Sequence, residues 1–297
     1  RVEGNVNLAE GKLESTGGTV RFRNTTVQSG SFEFKLGGSI LSIGDNYTKT
    51  GGSLESSSAT LSLNDNTTID SNTAIDFDQL ELNDLTLTLA NANTDLQISS
   101  AVVMDNSTEF IVTGEADLTL HSTLNISAGG VTSTAGTLSF LGGGELTGTG
   151  TIDFSGSTWV TGSSLFKLGG LFVFHQTNLK LGKDTTLTSD QALNIALLDL
   201  NGFILTLGSA DSDLTVEESL IIDESTEGIS TGEADLILKS ALTMSDGLLQ
   251  SAGGSIKFAI NQTSRISGNA VMMLDDTDIT SDDGTGIAII EIDGEPD

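Results

Sequence analysis

Five aspartates near one end of the chain, Asp275, Asp276, Asp278, Asp282 and Asp283, form its densest set of hard oxygen ligands. A calcium ion takes roughly six to eight oxygens from carboxylates, carbonyls and water. Solvated turn acids are the plainer reading; if the chain holds Ca2+, this run is where it is expected, stiffening a junction to a following module over residues 280–297. It matches neither the helix-loop-helix calcium loop nor the glycine-rich nonapeptide repeat, and solvated turn acids give the same composition. A second candidate is aromatic. Trp159, Phe172, Phe174 and His175 fall within one short stretch and carry the rings that a sugar platform needs. Core packing is the plainer role expected of these rings, and glycan contact is the chemistry the patch would otherwise carry. Cleaving a glycan needs two carboxylates at a controlled separation, or calcium with a basic residue. Aspartates are plentiful, yet no pair carries a distinctive local motif. His121 and His175 have no partner histidine nearby, and the glycine-rich stretch 141–150 lacks the Lys-Ser/Thr of a phosphate loop. No enzyme activity and no cofactor beyond Ca2+ are expected.

Composition restricts the partners. The 297 residues include 41 acidic and 12 basic side chains, a net charge of −29, and no Lys or Arg occurs from Thr50 to Phe166. Such a surface repels nucleic-acid phosphates and anionic membranes. No apolar run approaches the roughly 18 residues of a membrane-spanning helix, so the segment itself is expected to stay out of the bilayer. Cysteine is absent, which removes disulfides and thiolate chemistry. The chain starts at Arg1 rather than Met and is read as a piece of a longer protein.

The elements that position these residues come from a duplication. TGEADLTL at residues 113–120 returns as TGEADLIL at residues 231–238, an offset of 231 − 113 = 118. At that offset residues 80–140 lie over 198–258 without a gap, with 28 of 61 positions identical. Earlier partial copies, residues 5–22 over 123–140 and 61–71 over 179–189, bring the total to about two and a half. The chain is read as one continuous solenoid divided at 1–79, 80–197 and 198–297. Within each copy Leu, Ile, Val and Phe alternate with Thr, Ser, Asn and Asp over three to six residues, the period of a half-buried strand. Gly and Asn punctuate these strands, and apolar pairs return every 20 to 24 residues, as at Leu118, Leu138, Val160, Leu181 and Leu205.

Two all-β architectures fit: a right-handed parallel β-helix (β-solenoid), or tandem antiparallel β-sandwich repeats. Asn201-Gly202 suits a hairpin turn in the second and a tight corner in the first. One Trp, one Tyr, one Pro and the fine internal pitch favour the β-helix. Phe22, Phe140 and Phe258, equivalent by the repeat, are expected in its core. A rise of about 4.8 Å per turn over roughly 13 turns gives an expected rod of about 60 Å.

The phrase LxLNxxxLTL, at residues 80–89 and 198–207, together with the GTLxF turns, resembles the β-helical passengers of bacterial surface proteins. Autotransporter and filamentous-haemagglutinin-type adhesins are the group it is similar to. The resemblance implies an extracellular, cell-surface location and a stalk or self-associating fibre. Its implied partners are surface glycans or proteins of a host or neighbouring cell, or further copies of itself. A carbohydrate-binding or carbohydrate-cleaving β-helix around residues 159–175 is the alternative.

Overall fold

The computed structural model describes residues 4–162, 165–281 and 289–293, the residues from 291 to 293 by their backbone. Among the described residues there is no helix, and the strand pairings are parallel. Parallel pairing excludes the antiparallel sandwiches and establishes a β-solenoid of about 13 turns. The chain divides into two compact units, residues 1–157 with 170–172, and residues 158–169 with 173–297.

In the first unit the inward positions stack like on like. Ile75, Leu96, Leu118 and Leu138 are successive register partners, as are Phe77, Ile98, Leu120 and Phe140. All eight are buried. Each such side chain contributes on the order of 1.5–3 kcal/mol when withdrawn from water. The second unit repeats the device in the column Trp159, Leu179, Leu198, Leu220 and Leu242. The three phenylalanines expected inside are there: Phe22, Phe140 and Phe258 are all fully buried. Outward neighbours such as Gln97, Thr119 and Asn125 keep the other face of each strand wet.

Corners are held by side chains that bond backbone. Ser71 and Ser189, equivalent by the 118-residue offset, each donate a hydroxyl to a carbonyl two residues on, Thr73 and Gln191, at 2.6 Å. The backbone N–H of Ser71 donates in turn to Thr94 Oγ1 at 2.9 Å, and that of Ser189 to Ser212 Oγ at 2.8 Å. Asn83 and Asn201 sit at φ 54° and 50°, and their amides donate to the carbonyls of Leu63 and Leu181 at 2.8 and 2.9 Å. Asn201-Gly202, with φ 85° at the glycine, is therefore a corner of the solenoid and not a hairpin. Asn tolerates the left-handed region because its side chain bonds locally, and Gly because it has no Cβ.

Equivalent strands need not share a sheet. Val6–Leu8 pairs with Thr26–Gln28 in the sheet that continues through Ile40–Lys49, Thr60–Ser71, Thr86–Leu89, Phe110–Gly114 and Gly130–Ser133. Its counterpart at the 118-residue offset, Leu124–Ile126, belongs to a different sheet with Val102–Met104 and Gly144–Leu146. Lys12–Ser15 lies in a three-stranded sheet, whereas its counterpart Gly130–Ser133 lies in the sheet of Val6–Leu8. All these strands lie in the first unit. The repeat length is not a whole number of turns.

Candidate functional site

The aromatic candidate points mostly inward. Trp159 is the third side chain from the corner that starts at Ser157, on the strand Thr158–Thr161, where alternation turns it into the core; it is 1% exposed. Its ring stacks on Phe174 at 5.2 Å and 24° and meets the edge of Phe166 at 5.0 Å and 71°. Phe174 is itself buried. Neither Trp159 nor Phe174 presents a face to a sugar, which corrects the expected glycan contact at these two residues. The physical reason is that their apolar area is taken up by core packing. Phe172 is half-buried and His175 exposed.

Of the calcium candidates, Asp275, Asp276 and Asp278 are exposed on and between the strands Val271–Asp275 and Asp278–Ser281. Asp282 and Asp283 lie outside the described residues. Among the described residues no three His, Asp or Glu side chains converge as metal ligands. His121 is exposed, with Nε2 at 3.5 Å from Gln97 Oε1.

Among the described residues, surface cavities lie in both units. In the first unit a cavity of about 260 Å³ is lined by Glu14, Ser15, Thr16, Lys35, Leu36, Gly37, Glu55, Ser57 and Ser58. Register places Glu14, Lys35 and Glu55 side by side on three neighbouring strands. Lys35 pairs with Glu55 at 2.8 Å and Lys12 with Glu14 at 2.6 Å. The bond to Glu55 pushes the Lys35 ammonium above its ordinary pKa, and the bond to Lys12 holds Glu14 below the usual carboxylate range. A lysine base needs its pKa brought down towards neutrality. Lys35 is shifted the opposite way and is a fixed cation.

In the second unit a cavity of about 340 Å³ is lined by Leu197, Leu198, Asp199, Leu200, Ser219, Ile221, Asp223 and Glu227. Leu198 and Leu200 belong to the core, while Ile221 stands 50% exposed. Asp199 pairs with Lys180 at 3.1 Å. Comparison with protein-family models, with curated proteins and with solved structures finds no match for this chain.

Glu227 explains how this wall is built. It is 7% exposed, and its Oε2 accepts the N–H groups of Asp223 at 3.0 Å and Glu224 at 3.3 Å. Its Oε1 accepts the N–H of Gly202, at the corner one turn away, at 3.1 Å. Glu109 in the first unit does the same, also 7% exposed. It accepts from Asp105 at 2.9 Å, Asn106 at 3.2 Å and Asp84 at 3.4 Å. A buried carboxylate is tolerated because backbone donors replace its water. Surface carboxylates extend the pattern: Asp117 accepts from the N–H of Thr137 and Asp235 from that of Ser255. Hydrogen bonds from Lys257 and Ser255 hold the Asp235 carboxyl below its ordinary range despite opposing desolvation. These carboxylates were legible only as TGEAD and STE phrases repeated at the 118-residue offset, a signal of retention without a stated role.

Proposed function

We propose that the chain is a structural and adhesive segment of a large secreted or cell-surface bacterial protein, a stalk or fibre-forming scaffold without chemistry of its own. The observation that supports this reading is which residues the two copies retain. Inward side chains and backbone staples are kept: Leu118 with Leu236, Phe140 with Phe258, Glu109 with Glu227, Asn83 with Asn201. Many outward strand positions drift, as in Gln97 against Thr215, Thr119 against Ile237 and Ser139 against Lys257, while turn acids such as Asp105 with Asp223 are kept. A part whose task is to hold a shape needs its core and corners, and its surface is free to vary.

The test is replacement in the parent protein. An unrelated β-solenoid of the same number of turns, put in place of this chain, is expected to preserve surface display and cell adhesion, whereas deletion abolishes adhesion. Adhesion lost on replacement while display is intact would show that this chain's own surface carries the activity. Protease treatment of intact cells checks the location: the segment is expected to be digested without lysis.

A further inference from the structure

Residues 80–140 and 198–258 each expose one large apolar side chain among the described residues, Val103 at 57% and Ile221 at 50%. They are equivalent, since 221 − 103 = 118. Drift at outward positions would have scattered such residues; instead both copies keep a β-branched aliphatic at the same place. The acids beside it are kept as well. Asp223 and Asp199 line the cavity at Ile221, and their counterparts at the 118-residue offset are Asp105 and Glu81. The strand of Glu81, Gln79–Glu81, packs beside Val102–Met104. Under each site the buried Glu109 or Glu227 ties the loop down, so the surface is preorganised.

We infer that these are two equivalent docking sites for an extended basic peptide segment, one that carries an aliphatic side chain between lysines or arginines. The aliphatic group covers Val103 or Ile221, and the cations meet the flanking carboxylates. Charge complementarity selects this occupant: the chain carries −29, and an acidic or neutral polar partner gains nothing from the paired acids. The sites are not equal. Lys180 neutralises part of Asp199 in the second unit, while the matching position in the first is Ser62, so the Val103 site is the tighter one. The inference does not rest on the scaffold reading, because a pure scaffold replaced without loss can still bind such a segment.

The probe is a short peptide alternating lysine with leucine, compared calorimetrically with one alternating lysine with serine at the same length and charge. The leucine peptide is expected to bind two sites per chain, about tenfold tighter than the serine peptide. Val103→Thr removes the tighter site and Ile221→Thr the weaker; threonine keeps β-branching, so the strands persist. Circular dichroism of the double variant confirms the fold. Equal affinity for the two peptides, or a leucine preference that survives the double substitution in a folded chain, overturns the inference.

Discussion

Substituting Glu227 by alanine removes one carboxylate and leaves three backbone donors, of Gly202, Asp223 and Glu224, to find other partners. A hydrogen bond to a charged group contributes about 1.5–3 kcal/mol. Three such bonds are not fully lost, since Asp223 and Glu224 lie at the surface and water reaches their turn. Gly202, by contrast, is tied across turns, and its corner opens when released. The expected local cost is about 2–4 kcal/mol. Amide hydrogen exchange is the suitable assay, because it reads the local opening of this corner residue by residue. At about 1.4 kcal/mol per decade, protection at residues 202, 223 and 224 falls roughly 30- to 1000-fold. Residues 84, 105 and 106, held by Glu109, keep theirs. Glu227→Gln should fall between, since one acceptor remains and the other becomes a donor facing a donor. Protection within about threefold of the parent at all three amides after Glu227→Ala would refute the staple, because half of one charged bond already exceeds that.

Gly129 lies at φ 72° directly over the same device, and an added Cβ would stand 2.1 Å from the carbonyl oxygen of Glu109. Gly129→Ala is therefore expected to destabilise the first unit by about 2–4 kcal/mol, read as a lowered denaturation midpoint by circular dichroism. Asp84 holds φ 65° where the second copy has Gly202. Asp84→Gly should relieve strain and raise stability by a few tenths to about 1 kcal/mol in the same assay, the gain limited by glycine's greater freedom when unfolded. The Tyr47 hydroxyl donates to the fully buried Gln28 Oε1 at 2.6 Å, and burial raises its pKa above the ordinary 10.0. Tyr47→Phe should cost about 1–2 kcal/mol at neutral pH. The folded phenol keeps its proton when the unfolded one begins to release it, so the parent's stability from this group is complete below pH 10.0 and declines above it. Chemical denaturation between neutral pH and pH 11, about one unit beyond that value, should show this decline in the parent and not in Tyr47→Phe.

Period-2 alternation was sufficient to place Leu118, Leu120, Leu138 and Phe140 inside, because a strand admits only two directions for a side chain and the apolar set takes the dry one. The 118-residue offset located Asn83 and Asn201 as equivalents, yet it could not separate corner from hairpin. That distinction lies in whether the next strand runs parallel, a long-range property. Nothing in the sequence singles out Glu109 and Glu227 as buried, since burial of a carboxylate depends on backbone donors brought by a neighbouring turn. Lys49 was equally opaque: it is 4% exposed, donates to Thr73 Oγ1 at 2.8 Å, and burial lowers its pKa, while Lys167 at the equivalent position is exposed. Trp159 could be a sugar platform or a core ring on composition alone, and only its place in the alternation of Thr158–Thr161 decides.

Val6–Leu8 and Leu124–Ile126 descend from the same ancestral segment and yet occupy different sheets. Growth of the molecule by copying is therefore not bound to complete circuits of the backbone. A copied block need not close a whole number of turns, because each side accepts the same short apolar pattern. Within the first unit, a segment copied at this offset presents its outward residues from a different sheet than the original does. Genetic lengthening thus varies the direction in which old features look without designing any new ones.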